Sequence, residues 1–162
     1  MPLRIDVRVH PPFHRRLPSR WLREVARTAL LAEGLGDGQL GIVVADDDTV
    51  RELNRTYAHE DAPTDVLSFP LQEGEEFPQV PRIPRPLGEV VISLPTAQRQ
   101  AQEGGRTLQQ EVAHLLVHGI LHLLGYDHSQ PQEERIMRAR EEEILTRLGY
   151  GPGEGSYGHP ST

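Results

Sequence analysis

The sequence has no cysteine and no lysine among its 162 residues. Without cysteine there can be no disulfide framework and no thiolate metal site, so any metal must be held by histidine or carboxylate. Without lysine, Schiff-base chemistry and the lysine of a P-loop are excluded. All 17 basic residues are therefore arginine. Long hydrophobic runs are missing too: no stretch reaches the length that spans a bilayer. The opening MPLRIDVRVHPPF lacks the apolar centre of a signal peptide, so the expectation is a cytoplasmic protein.

What is present fits one globular domain. Hydrophobic residues make up 36% and charged residues 25% of a chain long enough to bury a core without staples. Residues 1–150 read as that domain, and 151–162, GPGEGSYGHPST, as a disordered tail in which His159 has no role. The net charge of −7 falls entirely on residues 61–162, where eight arginines face fifteen acids. Residues 1–60 balance nine against nine. Within them Arg15, Arg16, Arg20, Arg23 and Arg27 form a basic run broken only by Glu24. Such a run serves either as a solvated helix face or as a phosphate-contacting patch.

The residue pattern predicts the order β-α-β-α-β-β-α-α-α. Residues 3–9 alternate apolar and polar as a strand does, and Ser19 is placed to cap a helix running to about Glu33. LGIVVA, residues 40–45, is apolar throughout and suits a central strand; Asp46 to Asp48 offer caps for a short helix over 49–57. DVLSFPL, residues 65–71, reads as a strand whose Pro70 favours an edge. A proline-rich surface loop, 72–86, precedes a strand over 87–94. Pro95 then opens a helix that stops at Gly104-Gly105. Thr107 and Gln110 form a capping box ahead of a helix that is apolar nearly all round and ends at Gly125. A last helix runs from Pro131 to Gly149. Early strand–helix alternation implies partly parallel pairing, and two strands in succession imply an antiparallel pair. The expectation is an α+β fold: one small mixed sheet of about four strands packed with helices.

The most apolar of these helices carries HGILHLLGYDH, residues 118–128. Burying imidazoles among leucines costs free energy unless something satisfies their nitrogens. His118 and His122, four apart, project from one helix face. A third ligand on the same line could not close a tetrahedral site, so the chain has to turn back. Gly125 permits that turn, and His128 follows three residues later. The spacing H-x-x-x-H-x-x-G-x-x-H is that of the metzincin zinc signature, except that the residue after the first histidine is Gly119, not the glutamate base. Core histidines bonded to backbone are the alternative, but three at ligand spacing point to a metal. Three neutral imidazoles leave a fourth position open to water, as catalytic sites do. Zinc is the first expectation, with nickel, cobalt, copper or iron also suited to imidazole. His114, one turn earlier, is too far along the axis for a fourth ligand. Asp127 is a candidate to orient a ligand imidazole, to accept a proton, or to cap the turn.

HGILHLLGYDH, together with LNRTYAHEDAPTDVLSFPL (53–71) and LGEVVIS (87–93), resembles the bacterial YbeY family of metal-dependent endoribonucleases. The resemblance covers most of residues 40–150. It implies a small mixed sheet with helices, a zinc held by His118, His122 and His128, and cleavage of single-stranded RNA. It also implies work on ribosomal RNA, especially the 3′ end of the small-subunit RNA, and on ribosome quality control. The expected partners are then RNA and the ribosome or a ribosomal protein, with no membrane and no DNA. The family's arginine after the tyrosine of the second motif, implicated in activity, is here Ala58. Arg55, close to the same helix face, is the candidate to supply that cation to a substrate phosphate, or else a solvated charge.

Without the glutamate base, proton removal falls to water on the metal, Asp127, another carboxylate, or the RNA itself through its 2′-hydroxyl. Two other readings share the histidines: a catalytically weak, metal-binding ribosome-associated factor, and a metallopeptidase, which Gly119 disfavours.

Overall fold

The computed structural model describes residues 3–57, 65–70 and 86–150. Ala58, His59, the proline-rich loop up to Arg85 and the tail 151–162 lie outside the described residues. The strands are β1 (Leu3–Val9), β2 (Gly38–Ala45), β3 (Val66–Pro70) and β4 (Pro86–Ser93), in the spatial order β1-β2-β4-β3. β2 pairs parallel with both β1 and β4, and β3 runs antiparallel to β4. The mixed sheet expected from the element order is present. Apolar β2 is central, and β3, with Pro70 at its end, is an edge strand.

The helices are α1 (Ser19–Ala32), α2 (Asp47–Tyr57), α3 (Leu94–Gly104), α4 (Leu108–Leu123) and α5 (Pro131–Arg147), preceded by a 3-10 turn at Pro11–Phe13. Successive strand residues face opposite sides of a sheet, and that alternation sorts the helices. Val90 and Ile92 of β4 face the main core, with α1, α4 and α5; Val91 faces the other way, packed with Ala45 and Val50 of α2. α2 therefore lies on the face of the sheet opposite α4.

Helix starts follow the sequence closely, although α2 begins at Asp47, two residues before the predicted start, and α3 at Leu94, one before Pro95. Asp46 accepts from the Thr49 N–H at 2.8 Å, and Thr107 and Gln110 form the reciprocal capping box of α4. Ser19, however, does not cap α1. It is the first helical residue, and the cap position falls to Pro18, which has no hydroxyl; the carbonyl of Pro18 accepts from Trp21 and Leu22. At α3 the cap is Ser93, whose Oγ accepts from the Thr96 N–H, with proline in the first turn behind it.

α4 is the axle of the fold. Its residues Val112, Leu116, Val117, Ile120 and Leu121 are fully buried, in contact with α1, α3, α5, β3 and β4. Gly119 lets it lie close to the sheet: a Cβ there would come within 2.8 Å of Val90 Cγ1 and 3.3 Å of Val66 Cγ2. The Ser68 hydroxyl of β3 fills the contact by donating to the Gly119 carbonyl at 3.0 Å. No described helix is long and apolar enough to cross a membrane.

Candidate metal centre

α4 ends in a Schellman motif. The Tyr126 N–H reaches the Leu121 carbonyl and the Gly125 N–H the His122 carbonyl, each at 3.0 Å, with Gly125 at φ +103°. The motif reverses the chain and returns His128 to the face that carries His118 and His122. The three rings converge, with centroids 4.7 Å (His118–His122), 5.0 Å (His122–His128) and 5.7 Å (His118–His128) apart. One nitrogen from each ring lies within 4.8 Å of the others. His118 and His122 are half-buried and His128 is exposed, so the cluster sits at the surface end of a buried helix.

The donor set fits a transition-metal ion. Three imidazoles suit zinc and its neighbours, and all must be unprotonated to bind. Burial, then repulsion from His118 and His128, lowers the pKa of His122 below the usual imidazole value. Its lone pair is thereby available at neutral pH.

Around the triad, α5 contributes Glu141. Its carboxylate bridges two imidazoles, 2.5 Å from His118 Nδ1 and 3.3 Å from His114 Nε2. Burial opposes its ionisation, but the hydrogen bonds from the two rings outweigh it and hold its carboxyl at about 2. His114 thus meets Glu141 and stands outside the converging group, in keeping with its place one turn too far along the axis.

Asp127 is exposed, and the turn uses both of its oxygens. Oδ1 accepts from the His128 N–H at 2.7 Å and Oδ2 from the Ser129 hydroxyl at 3.1 Å. Those bonds, that of His128 first, depress its pKa. Tyr126, beside it, donates to Glu33 Oε1 at 2.6 Å, and Arg140 of α5 donates to Glu33 Oε2 at 2.7 Å. The glutamate at the end of α1 therefore ties the histidine loop to α5. It also raises the pKa of the Tyr126 hydroxyl, a shift that burial reinforces.

Arg55 is exposed near the end of α2, the helix packed on the face of the sheet opposite α4, and pairs with Glu52 at 2.5 Å. Glu141 was not among the residues the sequence singled out, although a signal existed. It continues the stripe of Met137, Ile144 and Leu145, the buried face of α5, and a carboxylate on an apolar stripe needs partners. Tyr126 and Glu33 left no such mark, because their bond spans 93 residues of chain.

A small mixed sheet with a three-histidine cluster at the end of its central helix, two of the rings on the helix and one on the turn after it, defines a class of metallohydrolase-like proteins. Within that class the family is specific. A model of the Endoribonuclease YbeY family matches residues 8–149. A protein named Endoribonuclease YbeY from Pelotomaculum thermopropionicum is 52% identical over 130 residues, 78% of this chain and 84% of its own. One of the same name from Desulforamulus reducens is 49% identical over 129 residues, 79% and 84% of the two chains. The homologue from Roseiflexus castenholzii is 44% identical over 147 residues, covering 90% and 92%. The solution structure of TM1509 from Thermotoga maritima shares the fold, with a TM-score of 0.55 and 25% identity over 98% of this chain and 99% of that one. The chain belongs to the Endoribonuclease YbeY family.

Proposed function

We propose that this protein is a zinc-dependent endoribonuclease that cuts single-stranded RNA, acting in the cytoplasm on ribosomal RNA at the 3′ end of the small-subunit molecule and in ribosome quality control. Family membership supports the endoribonuclease activity. The observation that carries the metal dependence is the convergence of His118, His122 and His128. Those three residues would hold the ion, which in such a site supplies Lewis acidity, acidifying water and stabilising charge on phosphate oxygens.

The chain's own residues divide the remaining work. The Schellman turn, Asp127 and the Tyr126–Glu33–Arg140 contacts keep the third histidine facing the other two. The residue next to His118 is Gly119, which supplies no glutamate base, and a Cβ there would come within 2.8 Å of Val90 Cγ1. Peptide hydrolysis by the route of a zinc peptidase therefore lacks its base. Arg55 supplies a cation to a substrate phosphate in place of the family arginine whose position is Ala58 here. The ribosome, or one of its proteins, presents the RNA to an enzyme whose net charge of −7 repels nucleic acid in bulk.

The test incubates the purified protein with single-stranded RNA, double-stranded RNA and casein, each with and without chelator, beside a His122→Ala variant. Chelator-sensitive cutting of single-stranded RNA alone, lost in the variant, is expected. Cleavage of casein would establish a peptidase instead. Bound metal with no cleavage of any substrate would favour the non-catalytic, metal-binding role.

A further inference from the structure

We propose that Glu141 is a positioning residue for the metal ligands: its carboxylate fixes His118 with a proton on Nδ1, so that Nε2 is the atom presented to the ion. The inference rests on the metal-site reading above and goes beyond it, because it assigns a task to a residue on another helix. Its basis is geometric. Glu141 comes from α5, 23 residues beyond His118, and its side chain is only 10% exposed. A buried carboxylate has to find donors. Here both donors are imidazoles of α4, with His118 Nδ1 at 2.5 Å from Oε2 and His114 Nε2 at 3.3 Å from Oε1. An ionised carboxylate only accepts, so each ring nitrogen facing it carries the proton. A neutral imidazole has one protonated nitrogen, and that leaves Nε2 of His118 bare. Nε2 is also the nitrogen that the Nδ1–Glu141 bond leaves for the cluster with His122 and His128.

His114 has a part in this arrangement without being a ligand. It occupies the second oxygen of Glu141, so the carboxylate is held from both sides and cannot rotate away from His118. The negative charge beside one ligand raises the basicity of that imidazole and offsets part of the charge of an ion held by three neutral donors.

The test uses the full-length protein and the isosteric Glu141→Gln variant. Zinc affinity is measured by competition with a chromophoric chelator, and urea unfolding of the metal-free proteins controls for stability. The imidazole nitrogen shifts of the metal-free parent, read by NMR, report the tautomer with no metal and no variant needed. The expected results are Nδ1–H with unprotonated Nε2 at His118 in the parent, and zinc affinity about 10- to 100-fold weaker in Glu141→Gln. The fall in affinity should be out of proportion to any change in the urea midpoint. A neutral His118 ring protonated on Nε2 in place of Nδ1 in the parent would overturn the proposal even if the variant failed to fold. So would a folded variant that binds zinc as tightly as the parent. A parent that binds no zinc at all would instead defeat the metal-site reading itself.

Discussion

At the scale of single residues, what a side chain is denied matters as much as what it does. Gly119 stands where a zinc peptidase keeps its base, and space there is tight: a Cβ would come within 2.8 Å of Val90 Cγ1, 3.2 Å of Ser68 Oγ and 3.3 Å of Val66 Cγ2. Replacing it with alanine adds helix propensity worth about 1 kcal/mol but forces a contact against a stiff β-branched neighbour, which costs roughly 1–3 kcal/mol. Gly119→Ala should therefore lower stability by about 1 kcal/mol in urea unfolding while the protein still binds metal. Arg55→Ala tests a different point. With the guanidinium on the far side of the sheet, the variant should raise KM for RNA several-fold and leave kcat close to the parent value. An unchanged KM would show Arg55 to be only the surface partner of Glu52. The three histidines were legible from spacing alone, because four residues on a helix and a glycine-permitted reversal leave few other geometries. Glu141 was harder to see. Its apolar stripe marked it as buried, but nothing in the linear sequence says which imidazoles a buried carboxylate will meet.

The helices and strands were readable wherever local rules decide and unreadable where distant contacts do. The mix of parallel and antiparallel pairing followed from the element order, and the ends of α4 followed from the capping box and Gly125. Ser19 was misplaced by one position, since a capping hydroxyl and a first-turn serine look alike until the backbone of Pro18 is known. The polar cluster at the start of α2 is a case of long-range contact. Asp47 accepts from Ser93 Oγ at 2.5 Å, Thr96 Oγ1 at 2.7 Å and Arg99 at 3.1 Å, joining α2 to the start of α3. Burial works against the charge, but those three bonds outweigh it and lower the Asp47 pKa below the ordinary aspartate value of 3.8. A carboxyl with a depressed folded-state pKa stabilises the fold above its unfolded value and loses that contribution as pH falls through the folded value. The parent should thus lose stability below pH 3.8 in part through this residue. Asp47→Asn should be less stable than the parent by about 1–2 kcal/mol at pH 7, with the gap narrowing as pH falls below that point. Parallel pH–stability curves for the two proteins, from urea unfolding, would contradict this.

For the molecule as a whole, charge and fold divide the surface. The acidic excess lies in residues 61–162, whereas exposed Arg15, Arg16, Arg20 and Arg27 crowd the start of α1 and the segment before it. If these contact the RNA backbone, Arg16→Glu with Arg20→Glu should weaken RNA binding, with metal content unchanged. The salt dependence should flatten as well, by about 0.7 for each phosphate that the variant no longer neutralises. An unaltered salt slope would mark the run as a solvated helix face. The core, by contrast, is organised around one helix, and α4 links the fold to the site because it is both the axle and the bearer of two of the three converging histidines. The central claim is that His118, His122 and His128 hold a metal ion on which RNA cleavage depends. Elemental analysis of the purified protein and of His122→Ala, paired with the cleavage rate of each on single-stranded RNA, tests it most directly. About one equivalent of a divalent transition metal per chain is expected in the parent, with metal and cleavage lost together in the variant. A parent that cuts RNA while free of metal would contradict it.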